Sequence, residues 1–495
     1  KFSVSADPES LMSDQMIMGK IALGGSIIVP LGLAASTISS AIGSVMVAPR
    51  TLQALASDRS LPSGKVNRTL KVVNQKTGEP YNATLITCVI ALIFVAVGDV
   101  NIVAQIISMF FMVTYGSLCL ISFLNHFGAS PSYRPSFRSK WYLSLTGFLA
   151  AFWLMFKMNF VYALVAIIIM VILYILTNFF HRDRKGLEAI FTNSLFQINR
   201  NLQVYLQKTA KSRTNNEYRP SMICISRDTF KRDNLFQILN WISYKYGFGT
   251  YIHLIDGYYS KTTCHEAQES LKSLIKIFDK YPNHVYADTL ISPSYTSAIA
   301  QSVQLPGISG MENNMVLFEF SKEDENTENL EEIVENVSLV KAGKFDVGIL
   351  ASSDRELNPM KEIHVWIRSI DQENTHLMIL LSFIILGHKD WRKSNIKIFD
   401  ICKSGEEANT RQALEKLVIS GRLPITIKNI EIISSQEEKG IKTLVNERSY
   451  DAGLCIIGFR EDSLQNKQED LFLGYDKVGH ILFVNSYAHK ELLDE

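Results

Sequence analysis

The residues of this chain best suited to chemistry are oxygen-bearing side chains set in apolar surroundings. The run GGSIIVPLGLAASTISSAIGSVMVAPR (24–50) carries Ser26, Ser36, Thr37, Ser39, Ser40 and Ser44, together with glycines and Pro30. Ser36, Ser39 and Ser40 fall at i, i+3 and i+4, so they share one helix face. Hydroxyl and carbonyl oxygens on one face suit a small hard cation that sheds its water inside a membrane. Such sites usually add carbonyls from an unwound partner helix. The other reading is packing, in which small residues let helices approach and hydroxyls satisfy neighbouring backbone. Tyr115, in SMFFMVTYGSLCLISF (108–123), poses a similar choice. Its phenol either packs in a core with the hydroxyl on a carbonyl, or donates to an anion.

These residues need elements that cross lipid, and the sequence supplies five apolar runs near the 20 residues that a span requires. They cover 17–48, 82–97, 102–123, 142–156 and 161–180, the fourth being the shortest expectation. Apart from Lys157 at a boundary, no Asp, Glu, Lys, Arg or His falls inside them, so a proton relay or charge-pair mechanism has no support there. The loop after the first run holds Arg50, Arg59, Lys65, Arg68, Lys71 and Lys76. The loop after the third holds Arg134, Arg138 and Lys140, and His181-Arg182-Asp183-Arg184-Lys185 follows the fifth. By the positive-inside rule these three segments are cytoplasmic. Residues 1–16 are then extracellular, 17–181 form a transmembrane domain of five helices, and everything after it is cytoplasmic.

Composition narrows the rest. The formal net charge of +1 gives no field for nucleic acid. Six scattered cysteines with no CxxC pair argue against a disulfide framework or zinc site, and fit a reducing compartment. The chain begins KFSVSADPES, without an initiator Met or a signal pattern, and reads as the carboxyl-terminal portion of a longer protein.

Residues 186–217 read as a juxtamembrane amphipathic helix and linker, with a stripe of Leu187, Ile190, Phe191, Ser194, Leu195, Ile198, Leu202 and Tyr205. That stripe either packs on its own domain or couples the two halves of the protein. From Pro220 strands and helices alternate, as in a parallel α/β sheet with right-handed crossovers. Five strands are expected in 218–357 and five more in 358–495, with the apolar helix 375–386 buried between layers. LVKAGKFDVGIL (339–350) and LVNERSYDAGLC (444–455) suggest that the two rounds are duplicates. Such duplicated units resemble universal-stress-protein-like folds, which sometimes bind ATP. A phosphate loop is missing, however: there is no GxxxxGK[ST] or GxGxxG, and ISGMEN (308–313) precedes a strand. The acidic run 323–335 reads as a solvated face. His253, His284, His364 and His480 read as structural, and Asp288, Asp346 and Asp451 as strand-edge caps or turns. No nucleophile, base and orienting group stand together, so no enzyme activity, cofactor or resident metal is expected.

Three segments carry a resemblance to the cation-chloride cotransporter family, a branch of the amino acid–polyamine–organocation superfamily. They are STISSAIGSVMVAPRTLQALASDRSLP (36–62), NIVAQIISMFFMVTYGSLCLISF with SPSYRPSFR (130–138), and HVWIRSIDQENTHLMILLSFIILGHKDWRKSNIKIF (364–399). The resemblance implies a membrane all-α bundle made of the last five spans of a LeuT-like fold. A cytoplasmic α/β domain of two universal-stress-protein-like subdomains would follow it. It implies a sodium site with hydroxyls from Ser39 and Ser40 and a carbonyl from Ser36, which favours the sodium-coupled branch, and a chloride contact at Tyr115. Transported sodium, potassium and chloride, a lipid bilayer and a homodimer through the cytoplasmic domain are the implied partners. Two other readings stand beside this symporter: an amino acid permease of the same superfamily, and a membrane-anchored sensor whose α/β domain binds a ligand.

Overall fold

Long apolar runs without charge become helices because lipid leaves the backbone no other hydrogen-bond partner. The computed structural model describes residues 18–19, 22–61, 63–74, 78–129, 133, 139–180, 186–210, 218–279, 284–323, 328–368, 372–420, 426–434, 440–488 and 490. The expected extracellular segment 1–16 lies outside these. The chain divides into two compact units, Lys1–Arg200 and Asn201–Glu495.

The first unit contains α1 (Gly25–Ser57), α2 (Gly64–Leu70), α3 (Tyr81–Val97), α4 (Val100–Gly128), α5 (Trp141–Met158) and α6 (Phe160–Phe180). The helix α7 (Gly186–Ala210) runs across the division. Helices α1, α4, α5 and the stretch Phe160–Thr177 of α6 are long and apolar enough to cross a membrane. The shortest of the five is α3, at 17 residues, rather than the fourth as expected. Its rise of about 25 Å still approaches the hydrocarbon thickness of roughly 30 Å. Two expected boundaries move. α1 continues nine residues past Ala48, through Pro49 and Arg50 to Ser57. α4 runs on to Gly128, which brings His126 into its last turn and corrects the expectation that no histidine lies in these helices.

The connections between spans are fixed by local chemistry. Gly98 ends α3 at φ 70, a left-handed value that favours glycine. Asp99 then caps α4, its Oδ1 accepting from the amides of Asn101 at 2.8 Å and Ile102 at 3.3 Å. α5 and α6 meet at Asn159 alone, which caps α6 through Val161 and donates to Gln105 of α4 at 3.1 Å. α4 and α5 approach closely because Gly147 leaves room: a Cβ there would lie 3.0 Å from Cys119 Sγ. Ser122 and Ser144 share a hydrogen bond of 3.0 Å across the same pair. Most large apolar residues of α6 remain exposed, as a lipid-facing helix requires.

The second unit is a single sheet. In chain order it holds β1 (Ser221–Ser226), α8 (Asn234–Ser243), β2 (Phe248–Asp256), α9 (Lys261–Phe278), β3 (Val285–Ser292), α10 (Tyr295–Gln304), β4 (Met315–Ser321), α11 (Glu328–Ala342) and β5 (Asp346–Ser352). A second round follows: β6 (Ile363–Arg368), α12 (Gln372–Leu386), β7 (Ile396–Cys402), α13 (Glu407–Ser420), β8 (Ile430–Ser434), α14 (Ile441–Arg448), β9 (Leu454–Gly458), α15 (Glu461–Lys467) and β10 (Ile481–Asn485).

The strand order is β3-β2-β1-β4-β5-β10-β9-β6-β7-β8. Each round has the same order, read outward from its first strand, and all its pairs are parallel. The two rounds join through one antiparallel pair, β5 with β10, in which Phe483 faces Ile349. The duplication is therefore real, but the two expected subdomains share one continuous sheet. The sequence match used to infer it pairs unlike places: 339–350 leads into β5, the fifth strand of its round, and 444–455 into β9, the fourth. Aromatic-Asp followed by a glycine and an aliphatic run is a helix-to-strand entry that both positions need.

Strands buried on both faces carry continuous aliphatic runs, as in β1, where Met222, Ile223, Cys224 and Ile225 are all buried. One face packs on α8, α9, α12 and α13, the other on α10, α11 and α14. α12 is buried, with Leu377, Met378, Ile379 and Leu381 fully so, but it is one of the helices of the first face and not an element between layers as expected. Each such side chain contributes about 2 kcal/mol by burial.

Candidate functional site

Ser36, Ser39 and Ser40 lie on α1, and all three are exposed within the described chain. The hydroxyls near them show what a lone helix does with such groups. Thr37 donates to the carbonyls of Leu33 (2.9 Å) and Ala34 (3.0 Å), and Ser44 donates to Ser40 O at 3.1 Å. The Ser40 carbonyl is thus already engaged, whereas the face shared by the three serines stays uncovered. α1 packs on α2 and α3 through Ala56, Leu70 and Ala83.

Tyr115 lies on α4, 60% exposed, its ring stacked on Phe111 at 6.1 Å. Next to it Gly116 is buried against Ala151 of α5, which turns the tyrosine away from that helix. Among the described residues no hydrogen bond joins the serine set to Tyr115, and α4 packs on α5 and α6 rather than on α1. The structure therefore places all four expected residues on helix surfaces and does not bring them together. On α7 the expected stripe splits: Ser194 is buried and donates to Leu124 O at 3.2 Å. Phe191, Leu195, Ile198, Leu202 and Tyr205 are exposed within the described chain. The side chains of Leu187 and Ile190 lie outside the described ones.

In an open α/β sheet the other natural site is the crevice where the strand order reverses, at the carboxyl ends of the strands. Here that crevice lies between β1 and β4, and the chain fills it with its own side chains. Arg227 pairs with Glu332 of α11 at 2.6 Å and Asp256 at the end of β2 at 3.1 Å, and stands over the Tyr295 ring at 5.1 Å. Glu332 belongs to the acidic run expected to be solvated, so part of that run is structural. The remaining cavity, lined also by Arg232, Glu319 and Asn329, has about 30 Å³. That is the room of one or two waters, far below what a nucleotide needs. The equivalent crevice between β6 and β9 is closed by amides. Asn374 and Asn485 both donate to Phe459 O, at 2.7 and 2.8 Å, and Ser486 N donates to Asn374 at 2.6 Å.

Glu319 is the unusual group in the first crevice. It is half-buried on β4, and its Oε1 is shielded from solvent without a hydrogen-bond partner. Desolvation, reinforced by Asp228 and Asp233 against Ser352 and Arg232, pushes its carboxyl up to about 7. The folded state therefore holds a proton that the unfolded chain has released above its ordinary value near 4.5. Stability is full below that value, falls as pH rises toward 7, and stays reduced above it. Glu319→Gln is expected to stabilise the α/β unit by on the order of 3 kcal/mol at pH 8 and by little at pH 4.5. Urea unfolding at the two pH values measures this; an equal effect at both would show that the carboxyl is not the cause.

Three of the four histidines expected on strand-like runs hold hydrogen bonds within the α/β unit. His253 bonds Thr229 at 2.9 Å, and His364 bonds Ser449 at 2.9 Å. His480 donates from Nε2 to Arg355 O at 2.6 Å and accepts at Nδ1 from Ser353 N. Burial lowers all three. Among the described residues no group of three or more His, Cys, Asp or Glu could hold a metal ion. Two residues tie the sheet together, one read differently from the sequence and one passed over. Asp346, expected as an edge cap, is 1% exposed and accepts from four groups. Lys322, after β4, donates to three backbone carbonyls of the loop before β10. A lysine after a strand carries no signal of such a role, and neither does a lone aspartate before one.

Comparison with known proteins fits this division. Residues 2–215 match the amino acid permease family model. Over 443 residues the chain is 25% identical to cation-chloride cotransporter 1 of Oryza sativa subsp. japonica, which covers 83% of this chain and 42% of that protein. Over 474 residues it is 24% identical to cation-chloride cotransporter 1 of Arabidopsis thaliana, covering 88% and 46%. The chain thus spans less than half the length of these relatives. The cytoplasmic domain of a prokaryotic cation chloride cotransporter aligns with 55% of this chain and 96% of its own, at 14% identity and a TM-score of 0.39. The strand order, not that alignment, establishes the α/β architecture. The apolar helices and the permease match make this a multi-pass membrane protein. The basic loops put its α/β domain on the cytoplasmic side.

Proposed function

We propose that the chain is the carboxyl-terminal portion of a secondary active symporter that moves chloride with sodium, potassium or both across a membrane. The α/β domain is its regulatory, dimerising part. The observation that carries this reading is the extent of the likeness. It runs through both units of the chain, over 443 residues, to a protein named as a cation-chloride cotransporter. In this reading Ser39 and Ser40 bind sodium through their hydroxyls, Ser36 through its carbonyl, and Tyr115 donates its phenol proton to chloride. The exposure of all four within the described chain supports it, since a coordinating oxygen must stay open to the rest of its site. The exposed apolar stripe of α7 supports a homodimer.

The test is ion-replacement uptake by the longer protein. Ser39→Ala with Ser40→Ala is expected to reduce sodium-dependent chloride uptake at least about tenfold, the scale of losing roughly 1.4 kcal/mol of ion binding. Unchanged uptake would sink the sodium assignment. The permease match over 2–215 favours a second reading, an amino acid permease. Uptake that saturates with an amino acid and needs no chloride would select it.

A further inference from the structure

Helix α2 lies between two membrane helices, yet its outer face is charged. It is held by three contacts. Leu70 wedges between Ala56 of α1 and Ala83 of α3. Asn67, buried, donates to Leu61 O at 2.8 Å and Ser63 O at 3.0 Å. Asn82 of α3 donates to Thr69 O at 2.9 Å. The last contact fixes the height of α2 at the first turn of α3, where Tyr81 stands 72% exposed. An exposed tyrosine at the end of a membrane helix marks the headgroup level. Opposite the buried Asn67 and Leu70, the helical wheel places Lys65 and Arg68 one turn apart, with Lys71 as the C-cap on one flank. All three cations are exposed, and none enters an ion pair among the described residues. Val66 and Val72, in the same segment, are 43% and 53% exposed.

We infer that Lys65, Arg68 and Lys71 form a docking surface for anionic phospholipid headgroups of the cytoplasmic leaflet, with Val66 and Val72 dipping into the acyl boundary. The inference rests on α1 and α3 crossing the bilayer. Three features favour lipid over another partner. The cations are held at headgroup depth by α3. Two valines of the same segment, Val66 and Val72, are exposed rather than packed in the protein. The cytoplasmic leaflet is the one that carries anionic lipid. Because α2 bears on both α1 and α3, a headgroup bound there also braces the helix that carries Ser36, Ser39 and Ser40.

The chain is reconstituted in phosphatidylcholine vesicles with a trace of spin-labelled phosphatidylserine or spin-labelled phosphatidylcholine, and the immobilised fraction of each probe is read by electron paramagnetic resonance. The expected result is at least about a threefold preference for the serine lipid, in line with a favourable contribution from each basic residue near the surface. The preference should disappear at 1 M salt, fall by at least about half in Lys65→Gln/Arg68→Gln/Lys71→Gln, where the other basic loops remain, and persist in full in Lys65→Arg/Arg68→Lys/Lys71→Arg. No preference in the unaltered chain, or an equal preference in the glutamine variant, overturns the inference. Salt-sensitive binding of an acidic protein without lipid preference overturns it too. If neither probe is immobilised, the bilayer reading of α1 and α3 fails first.

Discussion

Replacing Asp346 by alanine is expected to destabilise the α/β unit by about 4 kcal/mol, the scale for removing one member of a buried ion pair. Its carboxylate sits at the start of β5, almost without solvent contact, and four groups converge on it. The Tyr218 phenol donates to Oδ2 at 2.7 Å, and the Tyr487 amide donates to Oδ1 at 2.7 Å. Ser486 Oγ donates to the same oxygen at 3.4 Å, and the Lys490 ammonium lies 3.1 Å from it. Lys490 also stands over the Tyr218 ring at 4.7 Å. Burial, and then the charge of Asp346, hold the Tyr218 phenol well above its ordinary value, so it remains a donor. Tyr218 precedes β1, and residues 486–490 follow β10. One carboxylate therefore fastens the approach to the first strand against the exit from the last.

Asp346→Ala leaves an ammonium and an amide without their acceptor in a place that water reaches poorly. Amide hydrogen exchange of the whole chain should show protection falling about a thousandfold in β1, β5 and β10 together. Lys490→Met keeps the phenol, hydroxyl and amide bonds and should cost about half as much. If Asp346→Ala leaves exchange in β5 and β10 unchanged, the carboxylate is not the fastening proposed here.

Much of this architecture could be read from the sequence, because its signals are periodic. Continuous aliphatic runs such as Met222–Ile225 mark strands covered on both faces, and the apolar stretch of α12 could only be a buried helix. The spans were legible for the same reason, apart from their ends. α1 outran its expected end because the apolar run that marks a span gives way to Pro49 and Arg50, whereas the helix itself continues to Ser57. Pairings between distant residues carry no such periodicity. Nothing near Asp346 in sequence announces Lys490, which is 144 positions on, and nothing near Arg227 announces Glu332. The antiparallel join of β5 to β10 was hidden as well, because either strand would serve as the edge of a separate five-stranded sheet. The four expected site residues rest on a local pattern and a resemblance. Their types were visible, but what faces them depends on helices that the described chain does not bring to them.

Replacing Lys322 by methionine should loosen the join between the two rounds of strands. The ammonium donates to the carbonyls of Gly479 at 2.6 Å, Val478 at 2.8 Å and Tyr475 at 3.3 Å. It reaches them from the end of β4, so it pins the loop before β10 to the first round, one strand away from the β5–β10 pair. Methionine matches its length but donates nothing. The Val478 and Gly479 carbonyls then lose this donor, at roughly 1 to 3 kcal/mol each if they stay dry, while Tyr475 O keeps the amide of Val478 at 3.3 Å. Removing a desolvated charge returns part of this, and the net loss expected at pH 7 is about 2 kcal/mol. The pH dependence separates this from ordinary packing damage. Desolvation lowers the Lys322 amine from 10.5 to about 8. Below about 8 both folded and unfolded chains carry the proton, so stability does not change with pH on this account. Between there and 10.5 the unfolded chain binds more protons, so the unaltered protein should gain stability as pH rises through this window. Lys322→Met should lose that rise, and urea midpoints taken at pH 7.5 and pH 10 would show it. A variant that keeps the same rise would assign the titration to another group, and one as stable as the parent at pH 7 would mean that the Val478 and Gly479 carbonyls find water instead.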